Sequence, residues 1–243
     1  MSSNVTATPG KSDISRIYEA RGVGHLAAAC VALVLTSVIS VMQNSSGRSG
    51  SAGIALTAVI MAFFSFAYII SIRGFLIIDK AYKLRDGRSC YYLGRRLAVL
   101  TGICFAVNLL CEGFMMFSYA SMSQYAAKGA LTAEEARAVV NLHTLTAYVM
   151  LIMQVFALST CFIIYLFKIR GISESPGASN FALLTALLML LQLVIGLVSS
   201  VYTLRRSTSD YLVGFSSVLL VIKYIVGLMF FMYRRKKLAE EEL

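Results

Sequence analysis

The chain has 243 residues, of which 58% are hydrophobic and only 14% charged, and its mean hydropathy is +0.75. A soluble domain must cover its surface with polar side chains, which this composition does not supply, so the class is integral membrane protein. The formal charge of +10 falls almost wholly between apolar runs, which makes it a topology signal and not a nucleic-acid footprint.

Residues 1–22 are polar and weakly basic (Lys11, Arg16, Arg21) and read as a mobile N-terminal tail with a short interfacial turn at Ile14 to Ala20. Six apolar runs follow, at 23–42, 53–72, 97–122, 140–167, 181–203 and 211–233. Each is near or above the ~20 residues a helix needs to cross the hydrocarbon core. They are continuous, not alternating, and a helix satisfies its own backbone groups in lipid. The expected fold is therefore all-α, one polytopic six-span bundle over 23–233 followed by a C-terminal tail at 234–243. The first run is too long for a signal-peptide core and reads as a retained span.

The connections set the expected orientation. Sixteen Lys and Arg lie on the side that carries both tails and the 73–96 and 168–180 connections, against five on the other side. The positive-inside rule then assigns both termini to the cytoplasm. Asn44 stands in an N-x-S sequon on the outer side, close to the membrane, and is a glycosylation candidate. In the outer connection 123–139, Thr132-Ala133-Glu134-Glu135 has the form of a capping box that starts a helix. Pro176-Gly177 marks a turn on the inner side.

The inner connection 73–96 interleaves Lys80, Lys83, Arg85, Arg88, Arg95 and Arg96 with Phe75, Tyr82, Tyr91 and Tyr92. Such a segment can lie among headgroups, aromatics down and cations toward anionic lipid. Cys90, in the same connection, is a candidate for S-acylation. The other four cysteines fall within spans, which implies free thiols and no disulfide framework.

Polar residues recur at similar depth in four successive spans. Span three aligns Thr101, Cys104, Asn108 and Glu112 at helical spacing, span four centres on Gln154 with His143 three turns earlier, span five centres on Gln192, and span six carries Lys223 near its middle. A lone charge at the bilayer centre costs at least ~2.5 kcal/mol, so Glu112 and Lys223 are expected to face the interior. They are expected to pair there, with Asn108, Gln154 and Gln192 donating or accepting around them. His143 would sit at the outer mouth of this seam.

Absent patterns narrow the chemistry. His25 and His143 are the only histidines, and C-x-x-C, H-E-x-x-H, G-x-S-x-G and Walker glycine loops do not occur. No metal, no cofactor and no nucleic-acid partner is expected, and no catalytic residue is assigned. The expected partners are membrane lipids with anionic headgroups, a protein partner or a second copy of the chain. These features imply a small multi-pass carrier or channel-like protein with a mid-bilayer polar site. A non-catalytic scaffold or assembly subunit acting through its basic segments is the alternative. An intramembrane enzyme acting on a lipid-like substrate through Glu112 is the second alternative.

Overall fold

In the computed structural model the described residues are 11–46, 51–87, 95–107, 109–110, 113, 132, 134–135, 156–169, 176–204 and 210–240. They are helical throughout apart from turn and cap positions, with no strand among them. The helices are α1 (Lys11–Ser46), α2 (Ser51–Asp86), α3 (95–107), α4 (Phe156–Ile169), α5 (Pro176–Leu204) and α6 (Asp210–Glu240). Four of them, α1, α2, α5 and α6, are long and apolar enough to cross a membrane.

These helices begin and end where local chemistry favours it. Asp13 sits in the first turn of α1, and Lys83 and Arg85 in the last turn of α2, charges that complement the helix dipole. α2 stops at Gly87, whose φ of +66° and N–H to the Lys83 carbonyl at 3.1 Å form a left-handed C-cap. α5 opens on Pro176, which lacks the N–H that a first turn would leave unpaired. Pro176-Gly177, expected as a turn, is therefore the start of a helix.

Three boundaries differ from the sequence reading in the same direction. α1 begins at Lys11, inside the expected tail. α6 runs on through Arg234 and Lys237 to Glu240, inside the other. α2 continues through half of the expected 73–96 connection, and Phe75 and Tyr82, expected to face headgroups, are buried in the bundle. Hydropathy ends a span where charges begin, but a helix backbone need not stop there. Lys and Arg are good helix formers, and the buried stripe of α2 persists through Phe75, Ile78 and Tyr82 at steps of three and four. At 1.5 Å per residue, the 36 residues of α1 and of α2 reach about 54 Å, well beyond a hydrocarbon core of about 30 Å. Both helices outreach the apolar layer.

α1 packs against α2 and α6, and α5 against α6. α4 joins them through aromatic contacts: Phe162 meets Phe75 of α2 at 5.2 Å and Phe231 of α6 at 5.6 Å, centroid to centroid. α1 and α2 cross at two glycines, where a Cβ added to Gly22 would lie 2.9 Å from the Gly74 carbonyl oxygen. Only backbone fits there.

The outer surface carries the membrane signature. Leu184 on α5 is 62% exposed, Ile69 on α2 and Val218 on α6 58% each, whereas Gln192, Lys223, Glu19 and Arg234 are buried. Apolar side chains outward and polar ones inward is the reverse of a soluble protein. The protein has the build of an integral membrane helical bundle.

Candidate functional site

Several hydroxyls within the helices are satisfied without reaching across. Thr36, Ser37, Thr101, Thr160 and Thr185 each donate to the carbonyl four residues earlier in their own helix, at 2.7–2.8 Å. Among the described residues, two buried clusters of polar groups bridge helices.

The first is Lys223. It is 1% exposed and lies two residues from the midpoint of α6, as Gln192 does from the midpoint of α5. Its Nζ donates to Gln192 Oε1 at 2.7 Å and to Ser159 Oγ of α4 at 3.5 Å, and stands 4.4 Å from the Tyr224 ring centroid. Cys30 of α1 borders the same stretch of α6, its Sγ 3.5 Å from where a Cβ at Gly227 would stand. Gly196, one turn beyond Gln192, leaves space beside the amide: a Cβ there would be 3.2 Å from Gln192 Nε2 and 4.0 Å from Ser216 Oγ of α6. The result is a polar nest shared by α4, α5 and α6 and bordered by α1. Among the described residues no carboxylate is ion-paired to Lys223.

Of the residues expected to line the seam, the structure thus brings Lys223 and Gln192 together. Asn108, Glu112, Gln154 and His143 lie outside the described residues, and the expected Glu112–Lys223 pair with them. Ser159 and Cys30 were not singled out from sequence. A serine in an apolar helix carries little signal by itself, but its position opposite Lys223 becomes visible once the helices are assembled.

The second cluster lies at the end of the bundle where basic residues concentrate. Arg234 Nη2 of α6 donates to Glu19 Oε1 of α1 at 2.9 Å, and Tyr165 Oη of α4 donates to the same oxygen at 3.4 Å. Sequence reasoning left both charges in the tails. The signal that finds them is the α1 periodicity carried upstream: Ser15, Glu19, Val23, Leu26, Cys30, Leu33 and Ser37 are all buried at steps of three and four.

The six cations expected at headgroups divide by partner. Lys80 donates to Tyr18 Oη at 3.0 Å, Lys83 and Arg95 meet Asp79 at 3.2 and 3.7 Å, and Arg85 bonds Asp86 at 3.2 Å. Arg96 also has an interaction within the protein. Arg88 and Cys90 lie outside the described residues. Asn44 falls in the last turn of α1 and not in a connection, with its side chain outside the described set.

Near residue 132 the expected capping box has its reciprocal bonds. Glu135 N–H donates to Thr132 Oγ1 at 3.4 Å, and Thr132 N–H donates to Glu135 Oε2 at 3.1 Å. The Thr132 hydroxyl, at 2.7 Å, and this N–H hold the exposed Glu135 carboxyl below the ordinary carboxylate range. No three His, Cys, Asp or Glu side chains converge as metal ligands among the described residues. No protein-family model matches the chain, and no curated protein or solved structure matches it significantly.

Proposed function

We propose that the protein is a small multi-pass carrier with six spans and both termini in the cytoplasm, whose solute passes the nest around Lys223. The observation that carries this reading is a lysine buried in the middle of a membrane-spanning helix and held by uncharged groups of two other helices. Polar side chains that only clamp helices together contribute a modest ~0.6–2 kcal/mol each. A serine or glutamine could supply that without the cost of a cation at this depth. The lysine's place therefore supports a role in meeting a solute, and its donors suit one that carries an anionic or strongly accepting group. Glu112, Asn108 and Gln154 extend the proposed route, with His143 at its outer mouth.

A second reading is a non-transporting scaffold or assembly subunit. The observation favouring it is that α1, α2 and α6 continue as helices into the basic segments, so those cations are borne on rigid elements. The intramembrane-enzyme reading rests on Glu112 alone and gains no support from the described residues.

The test is uptake into proteoliposomes, read as swelling in a panel of chloride, acetate, lactate and phosphate salts. The carrier reading expects a rate above that of empty liposomes for at least one anion. It expects that rate to vanish in Lys223→Met protein that still elutes as a monodisperse species. Rates equal to empty liposomes across the panel, or full flux through Lys223→Met, would refute it in favour of the scaffold.

A further inference from the structure

Where α1 passes between α2 and α6 at the basic end, a cavity of about 340 Å³ opens to the surface. Arg21, Gly24, His25 and Ala28 of α1 line it, together with Ile70 of α2 and Arg235 of α6. We propose that this cavity binds the phosphate of an anionic phospholipid in the leaflet at the basic end of the bundle. The inference does not depend on any solute crossing the nest around Lys223.

The charge balance of this end is the first support. Arg234 is neutralised by Glu19, Lys83 and Arg95 by Asp79, Arg85 by Asp86, and Lys236 by Glu240. Among the described residues Arg21, Arg73, Lys80, Lys168, Arg235 and Lys237 have no such carboxylate, and of these Arg21 and Arg235 are the two that border the cavity. Two cations that converge without a protein anion suit an external one, and a guanidinium fork matches phosphate oxygens bidentately.

The local geometry holds the donors in place. His25 Nδ1 lies 2.7 Å from the Arg21 carbonyl oxygen. That oxygen only accepts, so Nδ1 carries the proton, which fixes the ring and leaves Nε2 as the nitrogen available to a ligand. Gly24 has no side chain, and the Arg235 guanidinium lies along it, 3.7–3.8 Å from where a Cβ would stand. The close crossing at Gly22 and Gly74 brings α2 near enough for Ile70 to form one wall.

The surroundings select a lipid over a soluble phosphate. Arg21, His25 and Arg235 sit where the apolar runs of α1 and α6 give way to charge, the level of a headgroup phosphate. From Ala28 the same face of α1 continues through Val31 and Leu35, both exposed, as a track for acyl chains at helical spacing. A free phosphate would use the guanidiniums and ignore the track.

The experiment is binding by native mass spectrometry at a fixed salt concentration near 150 mM, with the intact chain in neutral detergent. The probes are short-chain phosphatidylglycerol, phosphatidylcholine of the same chain length, and inorganic phosphate. Phosphatidylglycerol should bind wild type in preference to phosphatidylcholine. Its affinity should fall roughly 30-fold in Arg21→Gln/Arg235→Gln, from about 1 kcal/mol for each cation at the surface. The same loss of charge in Lys236→Gln/Lys237→Gln, outside the cavity, should change it less than about threefold at this salt. Arg235→Lys should fall between wild type and the double variant, because it keeps charge and loses the fork. Equal binding of both lipids, an equal loss in the Lys236→Gln/Lys237→Gln control, or inorganic phosphate competing at the lipid's own concentration would each overturn the proposal. If the double variant does not fold, competition by soluble glycerophosphoglycerol against phosphatidylglycerol on wild type decides: a weak competitor supports the acyl track, and an equal one overturns it.

Discussion

Glu19 and Arg234 are 215 positions apart in the chain and 2.9 Å apart in space, and both are buried. Removing one partner of such a pair strands the other charge, whereas removing both spares that cost. Arg234→Met should destabilise the folded protein by ~3–5 kcal/mol, and adding Glu19→Gln should recover much of it. Unfolding in detergent by denaturant or heat measures this, and an additive double variant would mean the two groups do not interact. The same reasoning applies to Lys223 with a smaller magnitude, since its partners are neutral. Gln192→Leu should cost ~1.5–3 kcal/mol by removing an acceptor from the buried amine, and Lys223→Met in the same chain should offset it. Glu135 titrates independently of these clusters. The Thr132 hydroxyl and N–H favour its ionised form, so the cap is complete above the ordinary carboxylate pKa and weakens as pH falls through the depressed value. Thr132→Val removes the hydroxyl and should raise the carboxyl pKa toward its ordinary value, as carbon-detected NMR titration would register.

Between elements, the α1–α2 crossing is set by backbone and not by side chains. A Cβ at Gly22 would meet Ile78 Cγ1 at 2.6 Å and the Gly74 oxygen at 2.9 Å, and one at Gly74 would meet the Gly22 oxygen at 3.0 Å. A carbonyl in a helix cannot rotate away, so the helices must separate. Gly74→Ala should therefore cost ~1–3 kcal/mol, whereas Gly24→Ala, whose nearest contact would be the Arg235 Nε at 3.7 Å, should change stability little. Thermal unfolding of the two variants in one detergent makes the comparison, and equal losses would show that the crossing is not glycine-limited. The sequence reading passed over this pair. Gly22 fell in the expected tail and Gly74 in the expected basic connection. Composition shifts where the solvent changes, and these helices continue past that boundary with a buried stripe that only their periodicity reveals.

For the whole molecule, class and helical build were legible because they follow from long apolar runs, and the depth of Lys223 and Gln192 because it follows from counting along them. The partner Ser159 was not, since which face of one helix meets which face of another is decided by packing. The number of crossings belongs to this scale as well. The long helices α1, α2, α5 and α6 give four crossings, and the proposed bundle has six. Both counts are even, so both return the two termini to one side, and tags on the termini cannot separate them. They differ in the side they assign to residues 123–139, which lie with the termini for four crossings and opposite them for six. Glu134 is exposed beside the capping box of this segment, which makes it a suitable reporter. With the chain's five cysteines replaced, Glu134→Cys should react with a membrane-impermeant maleimide added to right-side-out vesicles. Lys236→Cys, exposed at the basic end of α6, should react only after permeabilisation. If instead both positions need permeabilisation, the bundle crosses four times, and the Glu112 seam no longer lies along a transmembrane route.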